Sequence, residues 1–326
     1  MNIAGREVGP CHPCFIVAEI SCNHMGSPRL MYELVAAATE AGAGAVKVQF
    51  FEVQDITLGV NRPEYYVSWQ GRRTHLSELY REAYTSADLV GVACDAARTY
   101  GVAFIQSAFA CRITRYPDAI KIASAEIVDH DLLDNIGIFH RHGEMPIILS
   151  TGMATDAECV AAALKFTPGS FAMLHCVSEY PTKADHADLL RMNRLPCQIR
   201  GISDHSKGLT VPIAATALGA NIIEKHIMLP GTHPLDEAFS LTPHEFRNMV
   251  QAVRETEQAL KPFEGEPDRT FQRKLVYARD LPSGHVLTAD DILVVRVTEG
   301  ISGSRKGEFV GRTLTKDVEY GEPINP

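Results

Sequence analysis

Residues 199–226 read IRGISDHSKGLTVPIAATALGANIIEKH. A short β-rich apolar run, Ile199–Asp204, leads through Lys207-Gly208 into a helix-like stretch, LTVPIAATALGA. A second run, Asn221–His226 (NIIEKH), closes the unit. Strand, helix, strand in so short a span indicates a βα crossover between parallel strands. The same alternation recurs upstream in Phe15–Ile20 (FIVAEI), Ala45–Phe50 (AVKVQF), Val102–Ser107 (VAFIQS), Ala119–Ser124 (AIKIAS), Pro146–Thr151 (PIILST) and Phe171–Cys176 (FAMLHC). Eight such runs predict an α/β fold, a TIM (β/α)8 barrel with its parallel sheet closed on itself.

The connecting segments carry their own signals. Ser27-Pro28 supplies a cap and a first-turn proline before LMYELVAAATEAG, and Thr155 opens DAECVAAALKF. The link at 108–118 has room for only a short helix. The second run is followed by a long polar and aromatic insertion, Glu52–Ser86, with Trp69 and several tyrosines and arginines; it reads either as a lid or as a surface excursion. These features give a barrel domain over 1–260, a linker over 261–272 rich in charge, proline and glycine, and a small β-rich domain over 273–326. The last segment is too small to promise an extensive core of its own.

With 45% hydrophobic residues, the 326-residue chain can bury a large core. No apolar run approaches the roughly 18 residues of a membrane span, and the N-terminus lacks the pattern of an export signal. A net charge of −9 argues against non-specific nucleic-acid binding. Eight cysteines, several inside apolar segments, read as reduced thiols of a cytoplasmic protein. Cys11-His12-Pro13-Cys14 has the CxxC spacing, yet it precedes a strand where a thiol-active motif opens a helix. It is read as structurally inert.

Polar residues gather at the C-terminal ends of the runs, where barrel active sites are assembled. They are Glu19, Lys47 with Gln49, Ser107, Lys121 with Ser124, Ser150 with Thr151, His175, Ser203 with His205, and Glu224 with His226. Residues two apart share a face, so Lys47/Gln49, Ser203/His205 and Glu224/His226 can each present a pair to the interior. Lysine is almost never buried without a partner, so Lys47 and Lys121 ask for an anion, and the serines suit a phosphate and a carboxylate. His205 and His226, on neighbouring strands, suit a divalent metal, with Asp204 and Glu224 as carboxylates beside them.

The motifs, in order, resemble those of the sialic acid synthase family, the enzymes of N-acetylneuraminate and pseudaminate type. They are Phe15–Gly26 (FIVAEISCNHMG), Ala45–Phe50, Lys121–Glu126 (KIASAE), Ile148–Glu158 (ILSTGMATDAE), His175–Pro181 (HCVSEYP), Gly201–His205 (GISDH) and Ile223–His226 (IEKH). Residues 273–326 resemble that family's small antifreeze-like (SAF) domain. The resemblance implies a transferase that joins phosphoenolpyruvate to an open-chain N-acyl hexosamine-type aldehyde, with water attack at carbon 2 and release of phosphate. It also implies that Lys47, Lys121, Ser124, Ser150 and Ser203 hold phosphoenolpyruvate, and that His205 and His226 bind manganese or magnesium. Glu19 and Glu224 would stand near the reacting carbons, and Gln49, Glu126, Tyr180 and Asp236 would face the sugar. Arg296 would enter the site of a partner subunit in a domain-swapped homodimer.

The chain departs from the family pattern at Gln106–Phe109, at Ala125, at Met25, at Ser178 in place of a common asparagine on the substrate side, and at Val297 after Arg296. Phosphate and metal groups are intact, while the acceptor stays open. The stretches DEAFSLTPHEF (236–246) and LSELYREAYT lean toward pseudaminic-type synthases. Arg72-Arg73 leaves room for a phosphorylated aldehyde instead.

Overall fold

Runs rich in Ile, Val, Phe and Ala suit half-buried pleated strands. They form β1 (Phe15–Glu19), β2 (Ala45–Phe50), β3 (Ala103–Ala108), β4 (Ala119–Ile122), β5 (Ile147–Ser150), β6 (Phe171–Cys176), β7 (Ile199–Asp204) and β8 (Ile222–His226). Each pairs in parallel with its neighbours in sequence, and β8 pairs with β1, so the sheet is a closed eight-stranded barrel. The structure is a computed structural model describing residues 1–141 and 145–325.

Alternation along the strands divides the side chains into two sets. Val17, Ala45, Ile105, Ile148, Leu174 and Ile222 point inward and plug the lower barrel. Ile16, Ala18, Val46, Phe104 and Ile202 point outward and pack with Leu34, Val90 and Phe246 of the surrounding helices. Those helices begin where expected. Ser27 accepts a hydrogen bond from Leu30 N (3.3 Å) ahead of helix Pro28–Glu40, and Thr155 with Glu158 forms a capping box before Asp156–Ala163.

Three connections differ from the sequence reading. The link from β3 to β4 carries no helix, because the outward-facing Gln106 takes up its backbone: Nε2 donates to Arg112 O (2.7 Å) and Oε1 accepts from Thr114 N (3.0 Å). Between β6 and β7 the chain makes only the 3-10 turns Ala184–His186 and Leu189–Arg194. The insertion after β2 is ordered, with short helix Val53–Ile56, hairpin Tyr66–Trp69/Arg72–His75 and helix Leu76–Glu82.

The chain divides into compact units at 1–261 and 262–326. The second unit pairs Arg273–Tyr277 with Ile292–Arg296 and, against expectation, has a core of its own. Leu275, Leu281, Leu287, Ile292, Phe309 and Ile324 are buried together. Asp291, also buried, accepts from Arg279, His285 and Thr288, which lets a small fold bury a carboxylate without leaving it unpaired. Among the described residues no helix is long and apolar enough to cross a membrane.

Gly201 occupies an inward position on β7, where an added Cβ would lie 2.0 Å from the backbone oxygen of Ile222. Backbone cannot swing aside as a flexible side chain can. Gly201→Ala is therefore expected to lose at least about 2 kcal/mol of stability, seen as a lowered thermal midpoint or insoluble expression. A wild-type midpoint would show that the strands have room there.

Candidate active site

The barrel interior changes character one step above its apolar plug. The next inward positions are Glu19 (β1), Lys47 (β2), Ser107 (β3), Lys121 (β4), Ser150 (β5), Ser203 (β7) and Glu224 (β8), all buried. Parallel register makes the pairings: Glu19 lies level with Lys47, Ser107 with Lys121, and Ser203 with Glu224. Lys47 Nζ forms an ion pair with Glu19, lies 3.5 Å from Glu224 Oε1 and donates to Ser107 Oγ at 3.2 Å. Lys121 Nζ lies 3.9 Å from Glu224 Oε2 and donates to Ile122 O at 3.2 Å. Ser203 Oγ donates to Glu224 Oε1 at 2.9 Å, while Ser150 Oγ is buried with no partner. Two cations and two anions thus sit in one low-dielectric layer.

That environment separates the two carboxyls. Burial, with Glu224 nearby, raises the pKa of Glu19 although Lys47 opposes the shift. Burial would also raise Glu224, but Lys121, Lys47 and the Ser203 hydrogen bond overcome it and hold this carboxyl well below its usual value. Burial lowers the Lys121 ammonium, and Glu224 only partly restores it. Lys47 goes the other way, because Glu19 and Glu224 outweigh the cost of burial. The surroundings thus raise the affinity of Glu19 for a proton and lower that of Glu224.

Above this layer is the histidine rim. The His205 and His226 rings lie 5.4 Å apart, and Phe239 packs on both. His205 Nδ1 is 3.1 Å from the Val177 carbonyl, which can only accept, so Nδ1 carries a proton and Nε2 is the nitrogen left to face a metal. His226 Nδ1 lies 3.2 Å from Asp236 Oδ2, within ion-pair reach but outside hydrogen-bond alignment. Such outer partners orient imidazoles that ligate metals, and two imidazoles held this way fit a divalent cation. Among the described residues no cluster of three or more His, Cys, Asp or Glu could hold a metal ion, so water or substrate oxygens would complete the sphere.

The remaining expected residues of the barrel unit line the same mouth. Gln49 Nε2 donates to Ser21 Oγ (3.3 Å), and Ser124 Oγ accepts from Gly152 N (3.1 Å). Tyr180 lies 4.3 Å, ring to ring, from His205. Glu126 has a buried oxygen without a partner, and burial pushes its pKa up to about 7. Ser178 flanks Gly152: a Cβ there would lie 2.5 Å from Ser178 Oγ, 2.9 Å from Ser124 Oγ and 3.1 Å from Cys176 Sγ. Arg296 lies in the second unit, exposed at the end of its strand.

Three readings are corrected. Asp204 is not the partner of His205; it points outward and pairs with the buried Lys225 at 2.7 Å. Glu224 is not the partner of His226, since residues two apart along β8 sit in successive layers and Glu224 faces the lysines. His175 is outside the barrel, with Nε2 2.7 Å from Ala187 O, because it alternates with the inward Leu174 and Cys176.

Sequence reasoning also missed residues. Cys176 reaches the site with Sγ 3.8 Å from His205 Nδ1. Burial raises its pKa, but His205, Ser124 and Lys121 prevail and hold it below the usual thiol value. Its even spacing from Leu174 was the available signal. Asn23 Nδ2 donates to Ile227 O (2.8 Å), and His24 Nε2 meets Thr85 Oγ1 (2.9 Å), tying the loop after β1 to neighbouring loops. Cys14, by contrast, is a free buried thiol pushed up to about 12, by burial first and then by Glu257.

Comparison with known proteins gives the family. Residues 34–264 match the NeuB family, and residues 272–326 match the SAF domain. The chain belongs to the NeuB family. It is 32% identical to the pseudaminic acid synthase of Campylobacter jejuni, over 95% of each protein. It is 30% identical to the N,N'-diacetyllegionaminic acid synthase of Legionella pneumophila, over 97% of this chain and 94% of that one. The N-acetylneuraminic acid (sialic acid) synthetase structure from Leptospira borgpetersenii superposes with a TM-score of 0.70 at 26% identity, covering 82% of this chain and 92% of that one. The family's barrel thus houses a charged layer made from this chain's own strand register.

The corrected pairing gives a test. Asp204→Ala strands the Lys225 ammonium in the wall of this NeuB barrel and is expected to cost about 3–5 kcal/mol. Adding Lys225→Met to the same chain removes the stranded charge and should recover most of that loss in a urea melt. A loss under about 1 kcal/mol for the single variant would mean that the pair is not buried together.

Proposed function

We propose that this NeuB-family chain condenses phosphoenolpyruvate with an open-chain N-acyl hexosamine-type aldehyde, forming a nonulosonic acid and releasing phosphate. The observation that carries the reading is the buried layer of Lys47, Lys121, Glu19 and Glu224, set below two oriented imidazoles. Synthases of this product class among the relatives support it.

In this reading Lys47 and Lys121 take the phosphate and carboxylate of phosphoenolpyruvate, and Ser107, Ser124, Ser150 and Ser203 donate hydrogen bonds to them. The unpartnered Ser150 hydroxyl is a donor in waiting. His205 and His226 would hold manganese or magnesium, which supplies Lewis-acid polarisation of the aldehyde oxygen. Gln49, Glu126, Ser178, Tyr180 and Asp236 orient the aldehyde. Carbon 3 of phosphoenolpyruvate bonds to the aldehyde carbon, and positive charge develops at carbon 2 near the Glu224 anion. Water adds there and Glu19 accepts its proton, while a proton returns to the former aldehyde oxygen, now a hydroxyl. The tetrahedral intermediate passes its hydroxyl proton to the phosphate as it expels it by breaking the C–O bond. The lysines stabilise the leaving phosphate. A homodimer in which Arg296 reaches the acceptor of the other subunit is part of the same proposal, supported by the exposure of Arg296 and by the SAF match.

Phosphoenolpyruvate labelled with oxygen-18 at the bridging position tests the chemistry. Mass spectrometry should find the label in the released phosphate, and His226→Ala should lower turnover at least about 100-fold while leaving the thermal midpoint within a few degrees. Label retained in the keto acid would mean P–O cleavage. Near-wild-type turnover by His226→Ala would remove the metal from the account.

A further inference from the structure

The loop that leaves β1 is held by its own backbone and by the end of the insertion. Asn23 N donates to Ile20 O (2.9 Å), and Ser21, Met25 and Gly26 take positive φ (49°, 49° and 72°), so the chain turns tightly here. Burial lowers the pKa of His24 to about 4, which keeps its ring neutral. His24 Nδ1 accepts from Gly26 N (3.0 Å), so the ring proton is on Nε2, 2.9 Å from the buried Thr85 Oγ1. The Asn23 side chain therefore extends from an anchored loop.

Both N–H groups of that amide reach the loop after β8, which carries Asp236. Asn23 is 1% exposed, and its Nδ2 donates to Ile227 O at 2.8 Å and to Ser240 Oγ at 2.9 Å. The Ile227 carbonyl can only accept, which fixes the amide with its nitrogen on this side. Ser240 Oγ in turn donates to Asp236 O (2.8 Å), and the same carbonyl accepts from Ser240 N (3.1 Å) and Phe239 N (3.3 Å). The loop closes below this point, with Met228 N donating to Leu241 O and Leu241 N to His226 O, both at 2.9 Å. One side chain thus holds both feet of the loop. Asp236 is buried with Ser21 and Cys22 against its carboxylate, and its Oδ2 lies 3.2 Å from His226 Nδ1. The Asn23 carbonyl oxygen is buried without a partner among the described residues, so this amide serves by donating.

We infer that Asn23 is a positioning residue for the histidine rim: it sets Asp236 against His226 by fixing the loop at both ends. The donations run in one direction, from Asn23 to Ser240 to the Asp236 backbone. The inference rests on the metal reading proposed above and adds a residue that acts on a ligand through that ligand's partner. Losing an outer partner of a ligating imidazole typically costs about 10–100-fold in metal affinity, and Asn23 holds that partner in place.

Manganese binding to the chelator-treated full chain, read from the electron paramagnetic resonance of the free ion, tests it without turnover. Asn23→Ala and Asp236→Ala should each bind manganese at least about tenfold more weakly than wild type. The double variant should match Asp236→Ala within about twofold, because the two residues act in series. Phosphoenolpyruvate affinity by calorimetry should stay within about twofold in Asn23→Ala, since the lysine layer is untouched. Ser240→Ala breaks the same chain at its middle and should weaken manganese at least about threefold; it takes the place of Asn23→Ala if that variant does not fold. Manganese affinity within about twofold of wild type in Asn23→Ala or Asp236→Ala, losses that multiply in the double variant, or an equal loss of phosphoenolpyruvate affinity overturns the inference and leaves the metal reading standing. Wild type that binds no manganese overturns the metal reading itself.

Discussion

The barrel of this protein is organised around two lysines that are almost wholly buried. Burying an unpaired ammonium costs several kcal/mol, so Lys47 and Lys121 are tolerable inside a parallel barrel only beside carboxylates at the same height. Strand register supplies them, setting Glu19 level with Lys47 and bringing Glu224 within 3.5 Å of one lysine and 3.9 Å of the other. The apolar plug beneath excludes water, and the serines from other strands fill the remaining hydrogen-bonding positions. A layer that is neutral as a whole but divided into separate charges can accept an anionic substrate by exchanging partners, with little movement of the backbone.

Alternation along the strands enforces the same logic on the outside of the barrel. Asp204 and Lys225 follow the functional Ser203 and Glu224 by one residue, so they point away from the site and pair with each other in the wall. The two pairs are neighbours in sequence with separate places: Ser203 and Glu224 face the barrel interior, while Asp204 and Lys225 join β7 to β8 in the wall. Above them, Asp236 orients His226 from the loop after β8, and the insertion hairpin bridges to that loop through Gln70 and Leu235. Mouth, rim and charged layer are thereby linked through direct contacts.

Much of this was legible in the sequence because a strand's period of two is fixed by its backbone. Eight apolar runs sufficed for the barrel, and the same period placed Lys47, Gln49, Ser203, His205, Glu224 and His226 on inward faces. What it could not supply was partnership across chain distance. Asp204 and Glu224 were paired with the histidines on closeness in sequence, whereas Asp204 faces the opposite way from its neighbour His205 and Glu224 sits one layer below His226. The true partner, Asp236, lies on a loop whose path no periodicity records. Cys176 lies in one of the apolar segments, and its apolar neighbours conceal an even spacing from Leu174. The hairpin at 66–75 carries its turn signal only in Gln70-Gly71, and the core of the second unit comes from residues scattered among turns, where no period exists to read.

Binding measured without turnover tests the central claim, that the charged layer is the seat for phosphoenolpyruvate. Calorimetric titration of the full chain with phosphoenolpyruvate, and separately with pyruvate, would compare wild type with Lys121→Met. The account predicts that phosphoenolpyruvate affinity falls at least about tenfold in the variant, while pyruvate, which lacks the phosphate, changes far less. Equal phosphoenolpyruvate affinity in the two proteins would place the phosphate elsewhere and contradict the account.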